Sequence, residues 1–433
     1  MLHARGEVVR GVDSGHPAEA AGLAAAGVEV NLDADGLAQL EGTHTVVKSP
    51  GVPQGAAVIA AARERGIPVL GEMEVAWRVI PNAFIAVTGT NGKTTTTELL
   101  GHIYRTAGEP VEVAGNVGTP LSSLAFDVMP TTAAKSRVDP GATVICEASS
   151  FQLEDTEAFS PECAVFLNLA PDHLDRHDDL ADYLDAKLRI FANQANEDLA
   201  IFNGDEPALA GRDLGGCARR VVFCRGADPD CEVSLSGDTI FADGEPLIQA
   251  SELKLLGDHN VENAMAAAAV ALAMGLGRDA VGDGLRSFAA VPHRLEPIAE
   301  INGVRFVNDS KATNVGAATV GIRAFDAGVH VILGGSGKGE DLTSLVVPVR
   351  ERCAGAYLIG ETADEMESAL GSATESGVSL VRCSDLEEAV RAAAVAAHPG
   401  EIVLLSPACA SFDAFRDYED RGERFRGIVE AMR

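Results

Sequence analysis

The stretch AVTGTNGKTTTTELL, Ala86 to Leu100, limits what this chain can fold into more than any other. An apolar run, FIAV, enters a turn carrying Gly89 and Gly92, and leaves it as Lys93 followed by four threonines. A strand, a glycine turn and a helix start in that order aim backbone N–H groups and the positive end of a helix dipole at one place, where anionic oxygens bind. The common phosphate loop, G-x-x-x-x-G-K-[ST], requires glycine at position 87. Val87 stands there, so this loop is shorter. On the same logic Lys93 reaches the β- and γ-phosphates and the Thr94 hydroxyl a Mg2+ ion. The candidate nucleotide-binding residues are Gly89, Thr90, Asn91, Gly92, Lys93, Thr94 and Thr95. A plain glycine-rich turn is the alternative, and a lysine followed by four threonines argues against it.

The segments around the loop fix the fold class. FIAV, ATVICE, AVFLNLA, LAIFNGD and RVVFC are apolar throughout, as strands of a parallel sheet covered on both faces are. Helical stretches such as DDLADYLDAKLRIFANQ and NVENAMAAAAVALAMG intervene, which predicts βαβ units. SLSGDTIFADGEPLIQASELKL has the turn-rich rhythm of antiparallel hairpins. Before residue 81, GVEVNLD and HTVVKSPGVP read as strands and GAAVIAAARERG as a helix. After VPHRLEP the strand-and-helix pattern restarts and runs to the C-terminus. With 433 residues, and about 150 per domain as a guide, the chain divides into three α/β domains, 1–81, 82–290 and 291–433.

Charge excludes one class of partner. Against 34 basic residues stand 64 acidic ones, a net −30, and only seven lysines are present. Such a field repels polyanions and anionic surfaces, so neither nucleic acid nor membrane is an expected partner. An acidic, lysine-poor surface also suits a high-salt cytoplasm. The eight cysteines form no C-x-x-C pair and there is no zinc spacing, which reads as buried thiols in a reducing compartment. No window approaches 18 unbroken apolar residues and MLHARGEVVRGVDSGHP has no apolar signal core, so a cytoplasmic monomer is expected.

Candidate metal ligands lie at strand ends, where open α/β sheets bind their ligands. CEASSFQLE sets Glu147 there, and NLAPDHLDRH sets Asp172, His173 and Asp175. Each alone reads equally as a helix cap or a structural hydrogen-bonder. Lys187, in DYLDAKLRIF, reads from its residue type alone as a surface lysine that reaches water.

SPGVP, GTNGKTT, GNVGTP, EASSFQLE, PDHLDRH, AKLRI, GDHNVENAMAA, PHRLEP, NDSKATN, GGSGKGED and SPACASFDAFRDYEDRGERF together resemble the Mur ligases, from about residue 43 to the C-terminus. In that family the short GTNGKTT loop is the usual form. The resemblance implies three domains: an N-terminal Rossmann-like domain for a UDP-linked substrate, a central ATPase-type α/β domain, and a C-terminal Rossmann-like domain for an amino acid. It is strongest to the members that join D-glutamate to UDP-N-acetylmuramoyl-L-alanine through an acyl phosphate, releasing ADP and phosphate.

By the same resemblance Thr94 and Glu147 hold one Mg2+ ion, His173 a second, and Lys187 is carried as a carbamate beside it. Asn263, Arg294 and Asp309 contact ATP. Ser49, Asn116 and Ser149 lie by the muramoyl-alanine substrate. Lys311, Thr313, Lys338, Ser411 and Tyr418 form the D-glutamate pocket, the family often having phenylalanine at the last position. The opening MLHARGEVVRGVD departs from the pattern: it reads as part of the first helix, with one strand and a glycine-rich UDP loop expected before it. Another amino-acid ligase, of the folylpolyglutamate type, and a nucleotide-binding regulator without a UDP site are the competing readings. NDSKATN and SPACASFD argue against the first, and the full set of matched chemical residues against the second.

Overall fold

The computed structural model describes residues 2–3, 6–15, 17, 20–116, 119–125, 138–172, 176–226, 230–255, 257–288, 292–337 and 340–433. Two compact units divide the chain: Met1–Glu252 with Glu262–Ser287, and Leu253–Val261 with Phe288–Arg433.

The first unit begins with four short strands, β1 (Arg10–Val12), β2 (Glu29–Asn31), β3 (Val46–Lys48) and β4 (Val69–Gly71). They pair in parallel as two separate two-stranded sheets, β1-β2 and β3-β4. The expected helix at the start is corrected here: Arg10–Val12 is a strand, paired in parallel with Glu29–Asn31. Lys48, at the end of β3, is buried and pairs with Asp155 at 2.6 Å and Glu154 at 3.3 Å.

The nine following strands are β5 (Phe84–Thr88), β6 (Val111–Gly115), β7 (Thr143–Glu147), β8 (Cys163–Phe166), β9 (Leu199–Asn203), β10 (Arg219–Arg225), β11 (Val233–Ser236), β12 (Thr239–Ala242) and β13 (Glu245–Gln249). They form one sheet in the order β13-β12-β11-β10-β9-β8-β5-β7-β6. From β6 to β11 all neighbours are parallel, and β11-β12-β13 are antiparallel, as the hairpin rhythm predicted. Every residue of β5 is buried, which explains its unbroken apolar run. The helix Lys93–Ala107 packs on β6, β7 and the helix Arg278–Ser287. Leu99, Leu100 and Ile103 anchor it with no exposed surface, at about 1.5–3 kcal/mol for each such side chain.

One reading of the cysteines is corrected. Cys224 and Cys231 are joined as a disulfide with Cα atoms 6.1 Å apart, Cys217 is exposed and Cys353 half-buried. The sequence separation of seven gave no pairing signal; Cys224 lies in β10, opposite Ser234 of the parallel β11, and so close to Cys231 just before that strand.

The second unit is a six-stranded sheet of β14 (Glu296–Ile301), β15 (Val304–Asn308), β16 (Val329–Gly334), β17 (Cys353–Ile359), β18 (Ser379–Arg382) and β19 (Ile402–Leu405), in the order β14-β15-β19-β16-β17-β18. Five are parallel and β14 is an antiparallel edge. Among the described residues, no helix is long and apolar enough to cross a membrane.

Candidate functional site

In the first unit the site is built where β5 and β7 end. Register sets Glu147 opposite Val87 on one side and Gly115 on the other. Gly115 has φ +123°, and a Cβ there would lie 2.3 Å from the Glu147 carbonyl oxygen, so glycine is required beside the carboxylate. The chain passes from β5 through Gly89 into the helix starting at Lys93, with Gly92 as its left-handed N-cap at φ +83°. A Cβ on Gly92 would strike the Asn263 carboxamide, 2.1 Å from Oδ1, so that amide packs on the loop backbone.

The loop is held from its other side by Asn168. Its Oδ1 accepts from Asn91 N–H at 2.8 Å, its carbonyl accepts from Thr90 N–H at 2.9 Å, and its Nδ2 donates to the Asn91 carbonyl at 3.2 Å. Thr90 Oγ1 donates to the Ala170 carbonyl at 3.2 Å and lies 3.4 Å from the Tyr183 hydroxyl. Thr95 is buried in the first turn of the helix.

Two lysines meet here. Lys93 Nζ donates to the Gly89 and Thr90 carbonyls at 3.0 and 2.8 Å. Lys187 Nζ donates to the same Gly89 carbonyl at 2.8 Å and lies 4.4 Å from the Tyr183 ring centroid. Lys187 is only 1% exposed, so the surface reading is corrected. In the helix Leu180–Leu188 it stands one turn after Tyr183 and between Leu184 and Leu188, on the buried face. That spacing was the available signal. Burial pushes the Lys187 amine well below its ordinary value, the Lys93 charge adds to this, and Asp172 and Glu147 oppose it.

The Glu147 carboxylate is 3% exposed and shared between two donors, Thr94 Oγ1 at 2.7 Å and Asn116 Nδ2 at 3.0 Å. A buried carboxylate paired with a hydroxyl at a helix start is a hard-oxygen donor set suited to Mg2+, which takes one or two protein ligands and completes its shell with phosphate and water. Among the described residues no cluster of three or more His, Cys, Asp or Glu could hold a metal alone. His173 and Asp175 lie outside the described residues, as does Lys338. Ser149 caps the short helix Ser150–Leu153 in a reciprocal pair with Gln152. Ser49 is exposed in the turn after β3, its carbonyl accepting from Val52 N–H at 3.0 Å.

The second unit holds Arg294, Asp309, Lys311, Thr313, Ser411 and Tyr418. His293 and Leu295, at φ +63° and +43°, flank Arg294 in a left-handed turn. Asp309 is buried, accepting from Ser406 Oγ at 2.7 Å and Leu295 N–H at 3.2 Å. Burial raises it to about 7, against the pull of Ser406, Arg294 and the Leu295 amide. Lys311 Nζ lies 5.6 Å from the Tyr418 ring centroid. Residue-type reasoning passed over Arg421, which is fully buried. Its guanidinium donates to Ser310 Oγ at 3.0 Å and carbonyl at 2.9 Å, and to the Cys409 and Ala410 carbonyls at 3.1 and 3.2 Å. It ties NDSK to SPACAS, and burial lowers it to about 10.

Residues 87–271 match the Mur ligase middle domain and residues 293–409 the Mur ligase glutamate ligase domain. The UDP-N-acetylmuramoylalanine--D-glutamate ligase of Acidobacterium capsulatum is 42% identical over 413 residues, covering 94% of this chain and 87% of the relative. That of Pelotomaculum thermopropionicum is 40% identical over 441 residues, covering 100% and 94%. Among solved structures, a Thermotoga maritima UDP-N-acetylmuramate-alanine ligase superposes with a TM-score of 0.61 at 18% identity, covering 100% of this chain and 95% of that one. A Thermotoga maritima MurF ligase in complex with ADP gives 0.60 at 18% identity, covering 91% and 97%.

Proposed function

The chain belongs to the Mur ligase family, and from that premise we propose that it is the ATP-dependent ligase joining D-glutamate to UDP-N-acetylmuramoyl-L-alanine in peptidoglycan precursor synthesis. The observation that carries the reading is the convergence of Lys93, Lys187, Thr94 and Glu147 on one short phosphate loop.

An amide forms from a carboxylate only after the oxygen is made a leaving group. ATP phosphorylates the alanyl carboxylate, the D-glutamate amine attacks the acyl phosphate, and phosphate leaves. The helix N-terminus and the Lys93 amine offset the charge gathered when anion approaches anion. Thr94 and Glu147 would hold Mg2+, which supplies further charge neutralisation at the phosphates when bound. His173 is our candidate for a second ion. Asn263, Arg294 and Asp309 are assigned to the nucleotide, and Ser49, Asn116 and Ser149 to the muramoyl-alanine substrate. Lys311, Thr313, Lys338, Ser411 and Tyr418 are assigned to D-glutamate. We take 1–81, 82–290 and 291–433 as the domains that divide this work.

Lys187 fits a carbamate. Its amine is neutral over a wider pH range than an ordinary lysine, so the nitrogen lone pair can add to CO2; an N–C bond forms, a proton is released, and the product is an anion. Incubating the protein with UDP-N-acetylmuramoyl-L-alanine, D-glutamate, ATP and Mg2+ tests the reading. One ADP and one dipeptidyl product per turnover are expected; ATP hydrolysis that ignores both substrates would overturn it.

A further inference from the structure

Between the turn after β3 and the phosphate loop runs a continuous column of charged and aromatic groups, of which the proposed chemistry uses only Lys187, the member nearest the loop. At one end Arg176 donates to the Pro50 and Gly51 carbonyls at 3.4 and 3.5 Å. Its guanidinium lies 4.5 Å from the Phe151 ring centroid. Phe151 stacks on His177 at 5.7 Å with 14° between planes, and His177 meets Tyr183 at 5.1 Å. The Tyr183 face receives Lys187 Nζ, which reaches the Gly89 carbonyl.

His177 is the member with no freedom. It is 3% exposed and both ring nitrogens are engaged, Nε2 with Ser150 Oγ at 3.0 Å and Nδ1 with Asp182 Oδ2 at 3.1 Å. Ser150 opens the helix Ser150–Leu153 and Asp182 lies in the first turn of Leu180–Leu188, so the imidazole pins two helices to each other and fixes the ring plane between Phe151 and Tyr183. Aromatic contacts and cation–π contacts of this kind are directional, so a tilt at the middle propagates to both ends.

We propose that His177 is a positioning residue that, through this column, holds the Ser49–Gly51 turn and the phosphate loop in register. The inference rests on the assignment of that turn to the acceptor substrate and of the loop to ATP. Misplacement by about 1 Å at a distance from the chemistry can cost roughly 100-fold in rate.

His177→Phe keeps a ring of similar width and removes both hydrogen bonds. The expected result is a kcat reduced about tenfold or more, together with raised KM values for both the acceptor and ATP. A residue that only supports folding would scale kcat with the folded fraction and leave both KM values alone; that result overturns the proposal, as do unchanged kinetics. Asp182→Ala, at an exposed position, removes one of the two bonds and is expected to shift kcat and both KM values in the same direction but less, in case the first variant folds poorly. Amide hydrogen exchange gives an arm independent of the reaction. Faster exchange at both 49–52 and 89–95 in the variant supports the column, and faster exchange confined to 176–183 overturns it. If the parental protein makes no amide, the ligase reading fails while the exchange arm still decides the column.

Discussion

The Lys187 and Lys93 amines donate to one acceptor, the Gly89 carbonyl oxygen, at 2.8 and 3.0 Å. Burial first, and then the Lys93 charge on the same oxygen, lower the Lys187 amine well below its ordinary value. The shared oxygen is the geometric reason to expect chemistry at the more buried amine.

Lys187→Ala is expected to lower the ligation rate by roughly 100-fold or more, in line with the loss of a positioned charged group from a transition state. Acetate or formate should restore part of it by filling the vacated space with a carboxylate. Steady-state rates with and without the acids, at matched ionic strength, measure this. Full activity in the variant would return Lys187 to a packing role.

Lys93→Ala should abolish amide formation and leave the fold intact, because its amine serves two carbonyls of the loop while Leu99, Leu100 and Ile103 anchor the helix. Circular dichroism and ligation assays on one preparation check both halves. Near-parental ligation would remove the phosphate-loop assignment.

Asp309 makes stability depend on pH in a stated direction. Its folded pKa of about 7 lies above the ordinary 3.8, so the folded chain holds a proton that the unfolded chain has released between those values. Stability from this group is therefore fully present below pH 3.8 and is lost as pH rises to about 7, by an order of a few kcal/mol. Asp309→Asn keeps an acceptor for Leu295 and should flatten that fall. Urea midpoints at pH 5 and 8 for parent and variant test it; equal slopes would mean Asp309 is ionised throughout.

With a net charge of −30, repulsion should weaken the folded state at low salt and screening restore it, over a Debye length of about 10 Å at 0.1 M. The melting temperature is expected to rise with KCl. A flat response from low salt to molar KCl would remove the salt-adaptation reading.

Much of the molecule was already legible in residue order. FIAV followed by GTNGKTT specified strand, loop and helix because apolar runs, glycine freedom and a lysine at a helix start act locally. The parallel strands β5, β7, β8, β9 and β10 and the hairpin region followed from the same local patterns, whereas β6, with its half-buried Val111–Val113, was not read as a strand. What folding alone decided depends on register and burial between distant segments. Lys187 became buried because Tyr183, Leu184 and Leu188 turn its helix face inward, where Gly89 supplies the acceptor. Strand pairing set Glu147 between Val87 and Gly115, and so within reach of Thr94 and Asn116. The Cys224–Cys231 bond, the strand at Arg10–Val12 and the aromatic column through His177 are likewise products of side chains meeting across the fold. Residue types carry chemistry, but a pKa or a stacked contact belongs to the neighbours that tertiary structure supplies.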